Sequence, residues 1–90
     1  MTGYQVKYSQ RAIRELRKFD KYTRQMIYSW IERYLVGCED PRAHGKGLTA
    51  NRSGQWRYRI GDYRLICEIK EQELVILALS VGHRKEAYKI

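Results

Sequence analysis

QWRYRIGDYRLI, residues 55–66, alternates large apolar side chains with arginines, breaks at a Gly-Asp pair and resumes. Residues two apart on a strand share a face. The pattern therefore predicts two hairpin-linked strands: Trp56, Tyr58 and Ile60 join Leu65, Cys67 and Ile69 on a buried side, and Arg57, Arg59 and Arg64 share the other. A solvated strand face is served by Thr, Ser, Lys or Glu. Arginine adds a permanent charge and a rigid fork of donors suited to phosphate, which points to a polyanion.

The expected strands are Gln55 to Ile60, Tyr63 to Lys70 and Leu74 to Val81, with Gly61-Asp62 and Glu71 to Glu73 as turns. Connections this short exclude parallel crossovers and predict an antiparallel meander. Upstream, YQVKY (Tyr4 to Tyr8) alternates as a short strand, and Ser9 can cap a helix carrying Ala12, Ile13, Leu16 and Phe19. After a break near Asp20, Met26, Ile27, Trp30, Ile31, Tyr34 and Leu35 form one helical stripe, which Gly37 is placed to end. Residues 37–54 hold the only proline, Pro41, and read as a long loop. Its GKG lacks the spacing of a nucleotide-binding loop. The expected fold is α+β: an N-terminal strand, a hairpin of two antiparallel helices, and a three-stranded meander completing a four-stranded sheet. Trp30 and Trp56 are expected in its core.

Ninety residues make one domain, 1–90. A formal charge of +8 suits nucleic acid, an anionic membrane face or an acidic protein. No apolar run of about twenty residues is present, and the N-terminus lacks the apolar centre of a signal peptide, so a cytosolic protein without membrane contact is expected. Cys38 and Cys67 show no CxxC spacing, and His44 and His83 are too few to build a metal site. Both thiols are expected reduced, Cys67 in the core and Cys38 in the loop. No cofactor or metal is expected.

The segment from Gly82 to Ile90, read as leaving the last strand, brings Arg84 and Tyr88 towards the three arginines. Cationic forks beside an aromatic ring fit an RNA backbone with a stacked base. His83, next to Arg84, is a candidate acid or base.

GQWRYRIGDYRLI, LSVGHRKEAY and DPR, in this order of elements, resemble a RelE-type toxin of the RelE/ParE superfamily, from the first strand to Tyr88. The resemblance implies a bacterial toxin that enters the ribosomal A site, cleaves mRNA there, and is held inactive by a cognate RelB-like antitoxin. By position, Arg57 and Arg59 match the family's basic residues on the second strand and Arg64 its strand-three arginine. Arg84 matches the arginine after the last strand and Tyr88 the C-terminal tyrosine. The implied reaction is attack of the RNA 2′-hydroxyl on the adjacent phosphate, giving a 2′,3′-cyclic phosphate and a free 5′-hydroxyl without a metal.

That chemistry needs a base, positive charge for the transition state, and a proton for the leaving oxygen. Arg57, Arg59, Arg64 and Arg84 meet the second need. Some relatives carry lysines where Arg57 and Arg59 stand, and others a carboxylate near the positions of Asn51 and Arg52. Arginine hardly deprotonates and Asn51 cannot titrate, which leaves His83, Tyr88 and, behind them, Lys46 for proton transfer. Two other readings are a ParE-like inhibitor of DNA gyrase and a nucleic-acid-binding module without catalysis.

Overall fold

A computed structural model describes residues 3–47 and 55–83. In chain order it contains β1 (Gln5–Tyr8), α1 (Gln10–Arg17), α2 (Lys21–Tyr34), a 3-10 turn (Pro41–Ala43), β2 (Lys46–Gly47), β3 (Gln55–Ile60), β4 (Tyr63–Lys70) and β5 (Val75–His83). The strands form one sheet in the order β1-β5-β4-β3-β2, with β1 parallel to β5 and the other neighbours antiparallel.

Both helices start where short polar side chains take the orphan amides of a first turn. Ser9 accepts the Ala12 N–H at 3.0 Å and donates its hydroxyl to the Leu79 carbonyl at 3.0 Å. Asp20 accepts the Thr23 N–H at 3.3 Å and the Thr23 hydroxyl at 2.6 Å. These bonds to its charged form hold the Asp20 carboxyl below its usual pKa. At eight residues α1 is too short to persist alone. It is fixed by burial of Ala12 and Leu16 and by Glu15, whose carboxylate accepts the Val81 N–H at 2.9 Å.

In α2, Thr23, Ile27 and Ile31 recur every fourth residue on the buried side, and the stripe continues into buried Leu35. Beyond the helix Gly37 takes a left-handed φ of 77°. There Gly37 and Cys38 exchange backbone bonds of 2.8 and 2.9 Å with Tyr4. A Cβ on Gly3 would lie 2.2 Å from the Gly37 carbonyl oxygen, so this joint requires glycine.

The core lies between the helices and one sheet face, where Leu16, Ile27, Ile31, Tyr58, Ile60, Leu65, Cys67 and Ile76 are fully buried. Each large apolar side chain contributes about 1.5–3 kcal/mol through burial. Cross-strand register confirms the expected parity: Trp56 pairs with Cys67 and Tyr58 with Leu65 towards the helices, whereas Arg57 pairs with Ile66 and Arg59 with Arg64 on the opposite face. Cys67 is a buried free thiol whose pKa burial pushes up, and Cys38 is half-buried and free.

Three expectations need correction. The sheet has five strands, not four, because Lys46 and Gly47 leave the supposed loop and pair with β3. The last strand runs from Val75 to His83 rather than from Leu74 to Val81; Leu74 takes φ 55° in the preceding turn, and Gly82 and His83 still pair with Arg64 and Tyr63. Trp30 and Trp56 pack against the core half-buried instead of lying inside it.

Candidate functional site

The segment after α2 is fastened to the sheet bond by bond. Asp40 accepts the Arg42 N–H at 3.0 Å and so closes the turn that begins at Pro41. The buried Tyr58 hydroxyl donates to the Pro41 carbonyl at 2.6 Å, and the Trp56 indole N–H donates to the His44 carbonyl at 2.5 Å. Burial pushes the Tyr58 phenol pKa upward, which keeps the donor protonated. Arg42 lies 5.6 Å from the centre of the Trp56 ring and pairs with Glu71 at 2.9 Å. His44 packs its ring against Tyr34 and Trp30, with centroids 5.1 and 6.1 Å away.

Gly45 then turns with φ 81°, and any Cβ there would sit 2.2 Å from the Arg57 carbonyl oxygen. Only glycine lets the backbone come this close to β3. The approach delivers Lys46 directly opposite Arg57.

Two like-charged pairs result, Lys46 with Arg57 and Arg59 with Arg64. Like charges directly opposite on neighbouring strands destabilise a sheet, by up to about 1 kcal/mol for each pair. Together with Gly45 these four cations line a concave site of about 230 Å³, and no carboxylate is among the described residues that line it. Arg64 is half-buried and reaches back to the Tyr63 carbonyl at 3.5 Å. Such a concave cluster suits a phosphate, whose oxygens can take several guanidinium donors at once.

Of the residues expected to form a site, the structure brings together Arg57, Arg59 and Arg64. His83 stands elsewhere. It pairs with Tyr63, and their rings meet edge to face at 5.6 Å on the helix side of the sheet, where Tyr63 also packs 5.1 Å from Phe19. Arg84 and Tyr88 lie outside the described residues. Lys46, which the sequence ranked behind His83 and Tyr88, lines the pocket. Its flanking glycines in HGKG were the available signal, since one demands a left-handed φ and the other lies flat against the Trp56 ring.

A small α+β domain that gathers its cations on the bare face of an antiparallel sheet, with both helices on the other, defines a class shared with known toxins. Residues 6–88 match the family described as ParE toxin of type II toxin-antitoxin system, and the chain belongs to that family as a RelE-type toxin of the RelE/ParE superfamily. It is 25% identical over 84 residues to a RelE-like toxin protein of Escherichia coli, covering 93% of this chain and 86% of that one. Among solved structures it is similar to the RelBE toxin-antitoxin complex of Mycobacterium tuberculosis, with TM-score 0.77, 26% identity and coverage of 93% and 94%. The isolated Escherichia coli RelE toxin shares the fold at TM-score 0.71 and 20% identity, with 97% of each chain covered. Among the described residues, no helix is long and apolar enough to cross a membrane.

Proposed function

We propose that this toxin is a metal-independent endoribonuclease that cleaves mRNA in the ribosomal A site. The observation that carries the reading is the double row of opposed cations, Lys46 with Arg57 and Arg59 with Arg64, lining one concave site. A fold has no structural use for such pairs, and a phosphate passing from two formal charges towards a phosphorane-like transition state does. Fixed donors aimed at growing charge contribute about 3 kcal/mol each where they have been removed one at a time.

In this mechanism the RNA 2′-oxygen attacks the neighbouring phosphorus, the bond to the 5′-oxygen breaks, and a 2′,3′-cyclic phosphate and 5′-hydroxyl result. Arg57, Arg59 and Arg64 hold the phosphate oxygens, joined through the resemblance by Arg84. The 2′ proton passes to a group on the same side of the sheet. Lys46 occupies that side, and Tyr88 enters through the resemblance, with its ring stacked on a base. His83, on the helix side, serves packing with Tyr63. A separate RelB-like antitoxin of acidic, amphipathic character would cover the cationic face, as RelB proteins form complexes with RelE proteins in the structures to which this chain is similar. Ribosome, mRNA and antitoxin place its action in the cytoplasm.

A second reading, inhibition of DNA gyrase, draws on the ParE character of the matching family. The two are separated by primer-extension mapping of a defined mRNA on purified ribosomes, with end-group analysis, beside a gyrase supercoiling assay. Cuts inside A-site codons ending in a cyclic phosphate support the ribonuclease. Intact mRNA together with blocked supercoiling overturns it in favour of gyrase.

A further inference from the structure

A second cationic surface lies at the corner between the helices, apart from the pocket. From residue 10 to residue 25 the chain carries Arg11, Arg14, Arg17, Lys18, Lys21 and Arg24 against two acids, Glu15 and Asp20. Both acids are engaged inside the fold. Glu15 accepts from Val81 and pairs with Arg11, and Asp20 caps α2 through Thr23. Arg24 donates to the Phe19 carbonyl at 3.3 Å. Arg14, Arg17, Lys18 and Lys21 remain exposed, and none of their side chains has an ion pair or hydrogen bond among the described residues.

Helix stability does not account for this arrangement. Lys21 and Arg24 occupy the first turn of α2, which holds no acid, although the positive end of a helix favours carboxylates. Beside them the Tyr22 ring is 76% exposed. The surface is convex and offers charge and a phenol rather than an apolar groove, so it lacks the anchor pocket that an acidic amphipathic helix requires. A wide, shallow RNA minor groove displays phosphates and 2′-hydroxyls that guanidinium, ammonium and phenol groups can take.

The corner also abuts the end of the sheet that holds the arginines. Phe19 packs on Tyr63, whose carbonyl accepts from Arg64 on the other face. We infer that Arg14, Arg17, Lys18 and Lys21, with Tyr22, form a second RNA site, which grips the backbone of double-helical RNA while the sheet face holds a single strand. The division of labour rests on the ribonuclease reading of the sheet; binding at the corner does not.

The experiment measures anisotropy of a labelled RNA hairpin and of an unstructured strand of equal length, across a salt series. It uses the wild-type chain, a corner variant (R14Q/R17Q/K18Q/K21Q), Y22A alone, and a sheet variant (R57Q/R59Q/R64Q), each confirmed folded by its thermal transition. The corner variant is expected to lose at least about tenfold in hairpin affinity, to flatten the salt dependence by about three counterions, and to keep single-strand binding. Y22A should weaken the hairpin alone, and the sheet variant the single strand more than the hairpin. Unchanged hairpin affinity and salt slope in the corner variant overturns the assignment. So does a wild-type corner that prefers a polyglutamate peptide of matched charge to the hairpin. If the corner variant loses the hairpin while the wild-type protein cuts no mRNA, the corner site stands and only the sheet reading falls.

Discussion

Lys46 stands directly opposite Arg57 across the β2–β3 pair, held there by a two-residue strand flanked by Gly45 and the Trp56 ring. The relationship joins a segment that reads as loop to the strand that decides the fold. It also identifies the amine on the pocket side of the sheet. Lys46→Gln is expected to reduce A-site cleavage at least about tenfold, the scale of general acid–base or charge contributions. His83→Gln should cleave within about twofold of wild type, because that ring packs on the helix side. Single-turnover rates on programmed ribosomes compare the two; the reverse order would return proton transfer to His83.

The latch that presents Lys46 is separable from its charge. Trp56→Phe keeps a ring against the core and deletes the donor to the His44 carbonyl. A hydrogen bond of this kind contributes about 1 kcal/mol net, so the urea midpoint should fall modestly. Cleavage should fall several-fold more than that of a surface control of equal stability, since Lys46 loses its fixed register.

At the opposite edge of the site-bearing sheet, Glu15 holds β5 where its ladder is irregular. Pairing shifts between Ile66 and Cys67, which face Ser80 and Ala78 and leave Leu79 without a counterpart. The Leu79 carbonyl takes the Ser9 hydroxyl, and the Val81 N–H goes to Glu15. Glu15→Leu should destabilise the fold by about 1.5–3 kcal/mol, the range for a bond to a charged acceptor with its partner left wanting. Equilibrium unfolding in urea measures it.

Stability should also depend on pH through Asp20. Its folded-state pKa is lowered, first by the Thr23 hydroxyl bond and then by the Thr23 amide. Such a group contributes fully above the unfolded value of about 3.9 and loses that contribution as pH falls through the folded one. Urea midpoints should drop below about pH 4, and Asp20→Asn, which can still cap, should flatten the drop. At the alkaline end, burial raises the Tyr8 phenol to about 12. An unfolded tyrosine ionises near pH 10, so this contribution erodes between about 10 and 12.

The caps at Ser9 and Asp20, the helical stripe and the two faces of the 55–66 hairpin were legible in the sequence because each follows from local spacing. β2 was not. Two residues carry no periodicity, and the partner of Lys46 is set by the contacts of Trp56 and Tyr58 with the carbonyls of His44 and Pro41. The side taken by His83 was hidden for another reason. β5 is apolar at nearly every position and contains the register shift near Leu79, so alternation could not be counted along it. The arginine cluster was readable in kind, while its like-charged pairing needed the register.

That pairing makes the central claim measurable as a trade between stability and chemistry. Arg59→Thr removes one cation from the exposed Arg59–Arg64 pair and installs a residue that strands favour. The direct measurement is thermal or urea unfolding of this variant alongside its cleavage rate on programmed ribosomes. Stability raised by up to about 1 kcal/mol, with cleavage lowered at least about tenfold, is the predicted result. Unchanged or reduced stability with wild-type cleavage would contradict the claim that these cations are held together for a phosphate.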